Sequence, residues 1–177
     1  MSRNRIRRPA LVLAALTASL LLVLGVAPAR AAVAEESAAS QSCWFDTDTD
    51  TAQCFADTPT MNAAIEAQTG GQLVTDANAR PAGGVLMIYT VARFYDGVNY
   101  GPASFIVTTT SATYCTSSHT LNFTPAWDDR ASSYQSYLGC QTSVWVGYGG
   151  TGASTPFATN DPIMSGVSNV GSSYTIT

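Results

Sequence analysis

The chain of 177 residues contains no lysine and only one histidine, His119. Without lysine, the glycine-rich stretch "GYGGTGAS" (147–154) cannot act as a phosphate loop, which needs a lysine after the last glycine. The four cysteines include no Cys-x-x-Cys pair, and one histidine cannot complete the usual zinc ligand set. A single histidine also leaves little room for a catalytic triad. Ser118, its neighbour, points to the opposite face of an extended strand. Basic charge is scarce as well. Of eight arginines, five (Arg3, Arg5, Arg7, Arg8, Arg30) lie in the first thirty residues, and all twelve acids follow them.

The one long apolar run is "LVLAALTASLLLVLGVA" (11–27), preceded by four arginines and followed by Ala29-Arg30-Ala31. Basic, apolar and small-residue regions in that order predict a secretory signal over 1–31, with no membrane association after cleavage. Cleavage leaves Arg80, Arg93 and Arg130 against twelve acids, a net charge of −9. Such a chain repels nucleic acid and anionic lipid, and suits cations or a basic partner. Cys43, Cys54, Cys115 and Cys140 then all reach an oxidising compartment, where an even count predicts two disulfides. Three pairings are open, and proximity favours Cys43–Cys54 and Cys115–Cys140.

Residues 32–42 are small and polar, a flexible leader. Residues 43–83 hold a hairpin, "CWFDTDTDTAQCF", one helix, and a linker, "QLVTDANARPAGG". The expected helix is "TPTMNAAIEAQTGG", capped by Thr58, with Pro59 in its first turn, Met61, Ala64 and Ile65 on one face, and Gly70 as its stop. Asp46, Asp48 and Asp50 alternate as in an EF-hand loop. However, Thr51 stands where the glycine is required and Asp57 where the glutamate belongs, so a solvated hairpin tip is expected.

From Gly84 to Thr177 the pattern is all-β. "VLMIYTVARFY", "ASFIVTT", "HTLNF", "SSYQSYL", "SVWVGY" and "SSYTIT" are β-branched and aromatic runs between turn clusters, which argues for an antiparallel sandwich. The half also repeats. Tyr95 aligns with Trp145 and Gly97 with Gly147, and "DDRASSYQ" (128–135) is set against "MSGVSNVG" (164–171), matching Ser132 to Ser168. Two such units predict paired Greek keys.

These residues resemble the βγ-crystallin superfamily, in particular its secreted actinobacterial members. The family's motif opens with an aromatic, a second aromatic five residues on, and a glycine two beyond that. "YDGVNYGP" follows it from Tyr95 to Tyr100, with Pro102 in place of the glycine. "WVGYGGTG" keeps Trp145 and Gly152 but has Gly150 at the second aromatic position. The calcium signature of that family, two Asn/Asp, two variable residues, Ser/Thr and Ser, is matched throughout by "DDRASS" (128–133). The resemblance implies a clamp of Asp129, the Arg130 carbonyl and Ser132, completed by the Val146 carbonyl. It implies a second of Ser165, Gly166 and Ser168 with Asp96. Each clamp has one carboxylate, which implies weak calcium binding. The alternative for "DDRASS" is a turn shaped by its own side-chain hydrogen bonds.

The adjacent Asp128 and Asp129 cannot both face one substrate as a glycosidase pair does, and the expectation is a monomeric, non-enzymatic extracellular module. The resemblance also reaches a branch that inhibits metalloproteases. A secreted protease is therefore the other expected partner, with "TTTSATYCTSSH" (108–119) as the candidate inhibitory loop.

Overall fold

The computed structural model describes residues 41–74 and 84–177. The expected signal, most of the leader and the linker's remainder (75–83) lie outside the described residues. Ser42, counted with the leader, already opens the first strand.

Among the described residues the fold has eleven strands and one α-helix. The hairpin expected at the N-terminus is β1 (Ser42–Asp46) and β2 (Thr51–Phe55), with Cys43 opposite Cys54 and the two bonded. Helix α1 (Thr58–Thr69) follows. Its cap is Asp57, one residue before the expected Thr58, and the Asp57 carboxylate accepts from the Thr60 N–H at 2.7 Å. A hydroxyl at Thr58 loses this place because it is used elsewhere. It faces the Ser42 and Ser104 hydroxyls at 2.8 and 3.2 Å. Gly70 ends the helix at φ +66°, as its sequence position requires.

The predicted linker is interrupted. Gln72–Val74 form β3, which pairs in parallel with β4 (Met87–Tyr95). β1 likewise lies parallel to β5 (Ser104–Thr109). Both parallel contacts involve strands that precede Gly84, and the strands after Gly84 pair with one another antiparallel throughout, as expected for that half.

The remaining strands are β6 (His119–Asn122), β7 (Ser133–Ser136), β8 (Thr142–Gly147), β9 (Thr151–Ser154), β10 (Asn160–Asp161) and β11 (Ser173–Ile176). One sheet runs β10-β7-β4-β5-β1-β2, with β3 also on β4, and the other runs β6-β11-β8-β9. Each consecutive four-strand unit, β4–β7 and β8–β11, lends its third strand to the other sheet. That exchange makes two Greek keys one body.

The space between the sheets is aromatic. Phe94 lies 4.7 Å from Tyr174 and 4.9 Å from Phe123 between ring centroids, and Trp127 packs on Phe105 at 5.8 Å. The outer face of the first sheet has its own core, Trp44, Ile88 and Ile106 beneath Met61 and Ile65 of α1. With apolar cover on both faces, every residue of β5 is buried. The second disulfide, Cys115–Cys140, ties a 3-10 turn at Tyr114–Thr116 to the main core.

Candidate cation site at the paired serine turns

Two turns meet where the Greek keys face each other. In the first, the Trp127 N–H donates to the Thr124 carbonyl and Arg130 to Trp127. In the second, Val167 donates to Met164 and Val170 to Val167. The Asp129 N–H donates to the Gly171 carbonyl at 3.1 Å, and Asn169 N–H to Ala131 at 2.9 Å. Asp129 and Asn169 share a left-handed backbone, φ +58° and +56°, which Asp and Asn tolerate better than other side chains.

The next residues repeat the symmetry. Ser132 and Ser172 donate their N–H groups to the carbonyls of Tyr95 and Trp145, both at 2.9 Å. Ser133 Oγ donates to the Gly97 carbonyl (2.7 Å) and accepts from the Tyr100 N–H. Ser173 Oγ does the same with Gly147 (2.5 Å) and Gly150. Tyr100 and Gly150, at equivalent places, both have positive φ (+64° and +73°). The glycine relieves that strain in the second motif, where Trp145 bonds Thr175 through Nε1 at 3.0 Å. In the first motif Tyr100 bears the strain and packs on Tyr95 at 5.4 Å.

The counterpart of "DDRASSY" is therefore "SNVGSSY" (168–174), four residues beyond the expected alignment. Ser165 donates to the Ile163 carbonyl at 3.3 Å, and Gly166 lies in open surroundings at φ +83°. Neither stands at the place of Arg130 or Asp129. Ser168 occupies the first position of the turn, not the fifth. Matching on one serine missed the shared "SSY", which marks the hydroxyl that locks each turn and the tyrosine that enters the core. Gly171 replaces Ala131 because a Cβ there would come within 2.6 Å of Val144 Cγ1.

Side chains regroup accordingly. The Ser132 hydroxyl donates to Asn169 Oδ1 at 2.6 Å, with the Arg130 carbonyl at 3.5 Å. The fifth residue of one turn thus joins the second residue of the other, and Ser132 does not face Asp129 as expected. The counterparts of Ser132 and Arg130 in the other turn are Ser172 and Val170, and the Asp129 N–H donates to Gly171 between them. Asp96, one residue beyond the Tyr95 carbonyl that holds Ser132, belongs to the Asn169 side, and Val146 to the Asp129 side.

The two sides differ in charge. Arg130 Nη2 lies 2.8 Å from Asp96 Oδ2 and Nε 3.2 Å from the same oxygen. Nη1 donates to the Ala126 carbonyl at 2.8 Å, and the guanidinium sits 4.5 Å over the Trp127 ring. On the other side Asp129 is exposed, and the Tyr148 hydroxyl donates to Asp128 Oδ2. That bond, with the charges of Asp128 and Asp129, pushes the Tyr148 hydroxyl above the ordinary tyrosine range. Asp128 Oδ1 is buried without a hydrogen-bond partner. Among the described residues no three His, Cys, Asp or Glu side chains gather as a metal cluster, so a cation here must also use serine, asparagine and backbone oxygens.

The other candidates resolve locally. Asp46 accepts from the Asp48 N–H and the Thr49 hydroxyl, and Asp48 accepts from the Thr109 hydroxyl and, at 2.6 Å, the Thr110 N–H. The hairpin tip therefore braces the end of β5. His119 stacks on Tyr114 at 4.0 Å, with Nε2 3.0 Å from the Tyr114 carbonyl and 2.9 Å from Ser117 Oγ. A carbonyl only accepts, so in neutral His119 that bond needs a protonated Nε2, which cannot then take a proton from Ser117.

Two Greek keys with exchanged third strands and paired serine turns define a sandwich of the βγ-crystallin type. The structure is similar over 49% of the chain to solved bacterial domains of this kind. One is a βγ-crystallin domain from Clostridium beijerinckii, 20% identical, 95% covered, TM-score 0.38. A second is a domain from Flavobacterium johnsoniae, 17% identical, 93% covered, TM-score 0.36. A third, a clostrillin double mutant in complex with nickel, is 19% identical and 95% covered, TM-score 0.38. No family model and no curated protein matches the sequence.

Proposed function

We propose that the protein is a secreted, non-enzymatic βγ-crystallin-like module that binds calcium weakly at its serine turns. Bound calcium would hold the two Greek keys together. The observation that carries this reading is the reciprocal pairing of the turns. It brings hydroxyl, amide or carboxylate, and backbone oxygens from both motifs to one place, the donor types a hard cation takes. On the Asp129 side the fit is with Asp129, Ser172 and the carbonyls of Val170 and Val146. One full carboxylate places the dissociation constant at roughly 10⁻⁴–10⁻³ M, the range of extracellular modules. Tenfold excess over that constant stabilises the fold by about 1.4 kcal/mol, because the ion binds the native state alone.

The test is thermal unfolding and calorimetric titration in calcium and in chelator. Asp129→Asn keeps the residue type suited to a left-handed backbone and removes the charge. It is expected to abolish the calcium-dependent rise in melting temperature while leaving the melting temperature in chelator nearly unchanged. An equal melting temperature of the unaltered protein in millimolar calcium and in chelator overturns the reading. Secretion is supported by the leader's residue pattern and the two disulfides.

A second reading, inhibition of a secreted metalloprotease, is favoured by the loop Thr110–Ser118. Its tip is exposed, and it is braced by Asp48, the Tyr114–His119 stack and Cys115–Cys140. A rigid projecting loop is what a protease cleft accepts with little reorganisation. Absence of inhibition across a panel of secreted metalloproteases at micromolar concentration discards it.

A further inference from the structure

The two turns are alike in backbone and unlike in charge, and the difference decides how many ions the module takes. On the Asn169 side, the carboxylate available to a cation is Asp96, and a cation already holds it. The Arg130 guanidinium makes two contacts to one Asp96 oxygen, a third to the Ala126 carbonyl, and lies over the Trp127 ring. The pair is mostly shielded, with side-chain exposures of 15% for Arg130 and 27% for Asp96. An ion entering here must first detach the guanidinium, leaving a half-buried charge without its partner. It would also approach a site whose net charge is zero, because Asn169 stands where the other side has Asp129.

The Asp129 side has the opposite balance. The charges of Asp128 and Asp129 both act on the Tyr148 hydroxyl, which donates to one Asp128 oxygen, and the other Asp128 oxygen is buried and unpaired. Its position equivalent to Asp96 is Val146, which has no carboxylate for a guanidinium to hold, and the ion pair of Arg130 lies with Asp96.

We infer that Arg130 acts as a tethered cation that permanently closes the Asn169–Asp96 clamp, so the module binds one calcium ion, on the Asp129 side. This rests on the calcium reading above and makes a separate claim about stoichiometry and about Arg130. The closed clamp keeps its two motifs linked at any calcium concentration, while the open one responds to the ion.

Calorimetric titration with calcium chloride tests it on the full mature chain. The unaltered protein is expected to bind one ion, Asp129→Asn none, and Arg130→Gln two, the second being lost again in Arg130→Gln with Asp96→Asn. Two ions in the unaltered protein, or still one in Arg130→Gln, overturns the inference. If the unaltered protein binds none but Arg130→Gln binds one, the calcium reading fails and Arg130 as the closing cation stands. None in both overturns both. Should Arg130→Gln fold poorly, the unaltered protein suffices through its NMR spectrum. Saturating calcium is expected to shift the Asp129 backbone amide and leave the Arg130 Nε–H signal in place. Movement of the Arg130 signal with a fixed Asp129 amide overturns the proposal.

Discussion

Ser133 and Ser173 are fully buried, and each hydroxyl closes a turn by donating to one backbone carbonyl and accepting from one backbone N–H. Replacing either by alanine strands a carbonyl and an amide together, so the expected loss is about 2–3 kcal/mol for each substitution. The residues lie in different turns and share no partner, so Ser133→Ala with Ser173→Ala should lose close to the total of the single losses. Urea unfolding of the single and double variants measures this. A loss below 0.5 kcal/mol at either position, as an order-of-magnitude threshold for a surface hydroxyl, contradicts the locking role. The first of these serines sits inside the signature legible in the sequence. The second was hidden because its turn opens with Ser168 where the signature asks for Asn or Asp, so the alignment slid to another serine. Arg130 was legible only as a carbonyl donor. Where its guanidinium goes depends on Asp96, thirty-four residues away, and no local spacing encodes that.

At the scale of elements, alternation and turn residues located the strands well. All six β runs from Val85 to Thr177 become strands within a few residues of their expected ends. Three short strands escaped. Gln72–Val74 and Asn160–Asp161 are too short to show alternation, although Leu73 packs on the outer core and Val74 is buried, and Thr151–Ser154 is an exposed edge without an apolar face. Helix α1 was legible from its proline, glycine and apolar spacing, and only its cap was displaced. That cap gives the helix a pH dependence. The side-chain and backbone hydrogen bonds of Thr60 hold the Asp57 carboxyl below its ordinary value. A carboxyl lowered in the folded state stabilises at pH above its unfolded value near 4, and that contribution fades as pH falls through the folded value. Asp57→Asn, a neutral cap, is expected to be less stable than the unaltered protein at pH 6. The gap should narrow steadily below pH 4. Melting temperatures of the two proteins between pH 2 and 6 check this, and a constant gap would show that Asp57 is not the titrating cap.

Across the whole molecule, the sequence divides near Gly84 by composition, yet the packing does not stop there. Cys43 belongs to the core between the sheets, and β1 covers the edge of β5 along four residue pairs. Trp44 reaches through to β5, where its Nε1 donates to Thr108 Oγ1 at 2.7 Å, and Ile88 and Ile106 depend on Met61 and Ile65 for cover. A chain of residues 84–177 would keep both Greek keys and both serine turns. It would also expose Ile88 and Ile106, each worth roughly 1.5–3 kcal/mol when buried, and open the edge of β5 to pairing with other chains. Those losses alone approach the lower part of the ordinary stability range of a domain. Residues 84–177 are therefore expected to associate or to unfold at a much lower temperature than 32–177. Adding back residues 41–83 as a separate peptide, with its Cys43–Cys54 bond formed, should restore part of that difference. Sedimentation and thermal unfolding decide the matter. A monomeric 84–177 fragment with the melting temperature of the longer chain would mean that α1 and the hairpin are an appendage. The packing of Trp44 and α1 against the first sheet argues that they are its second core.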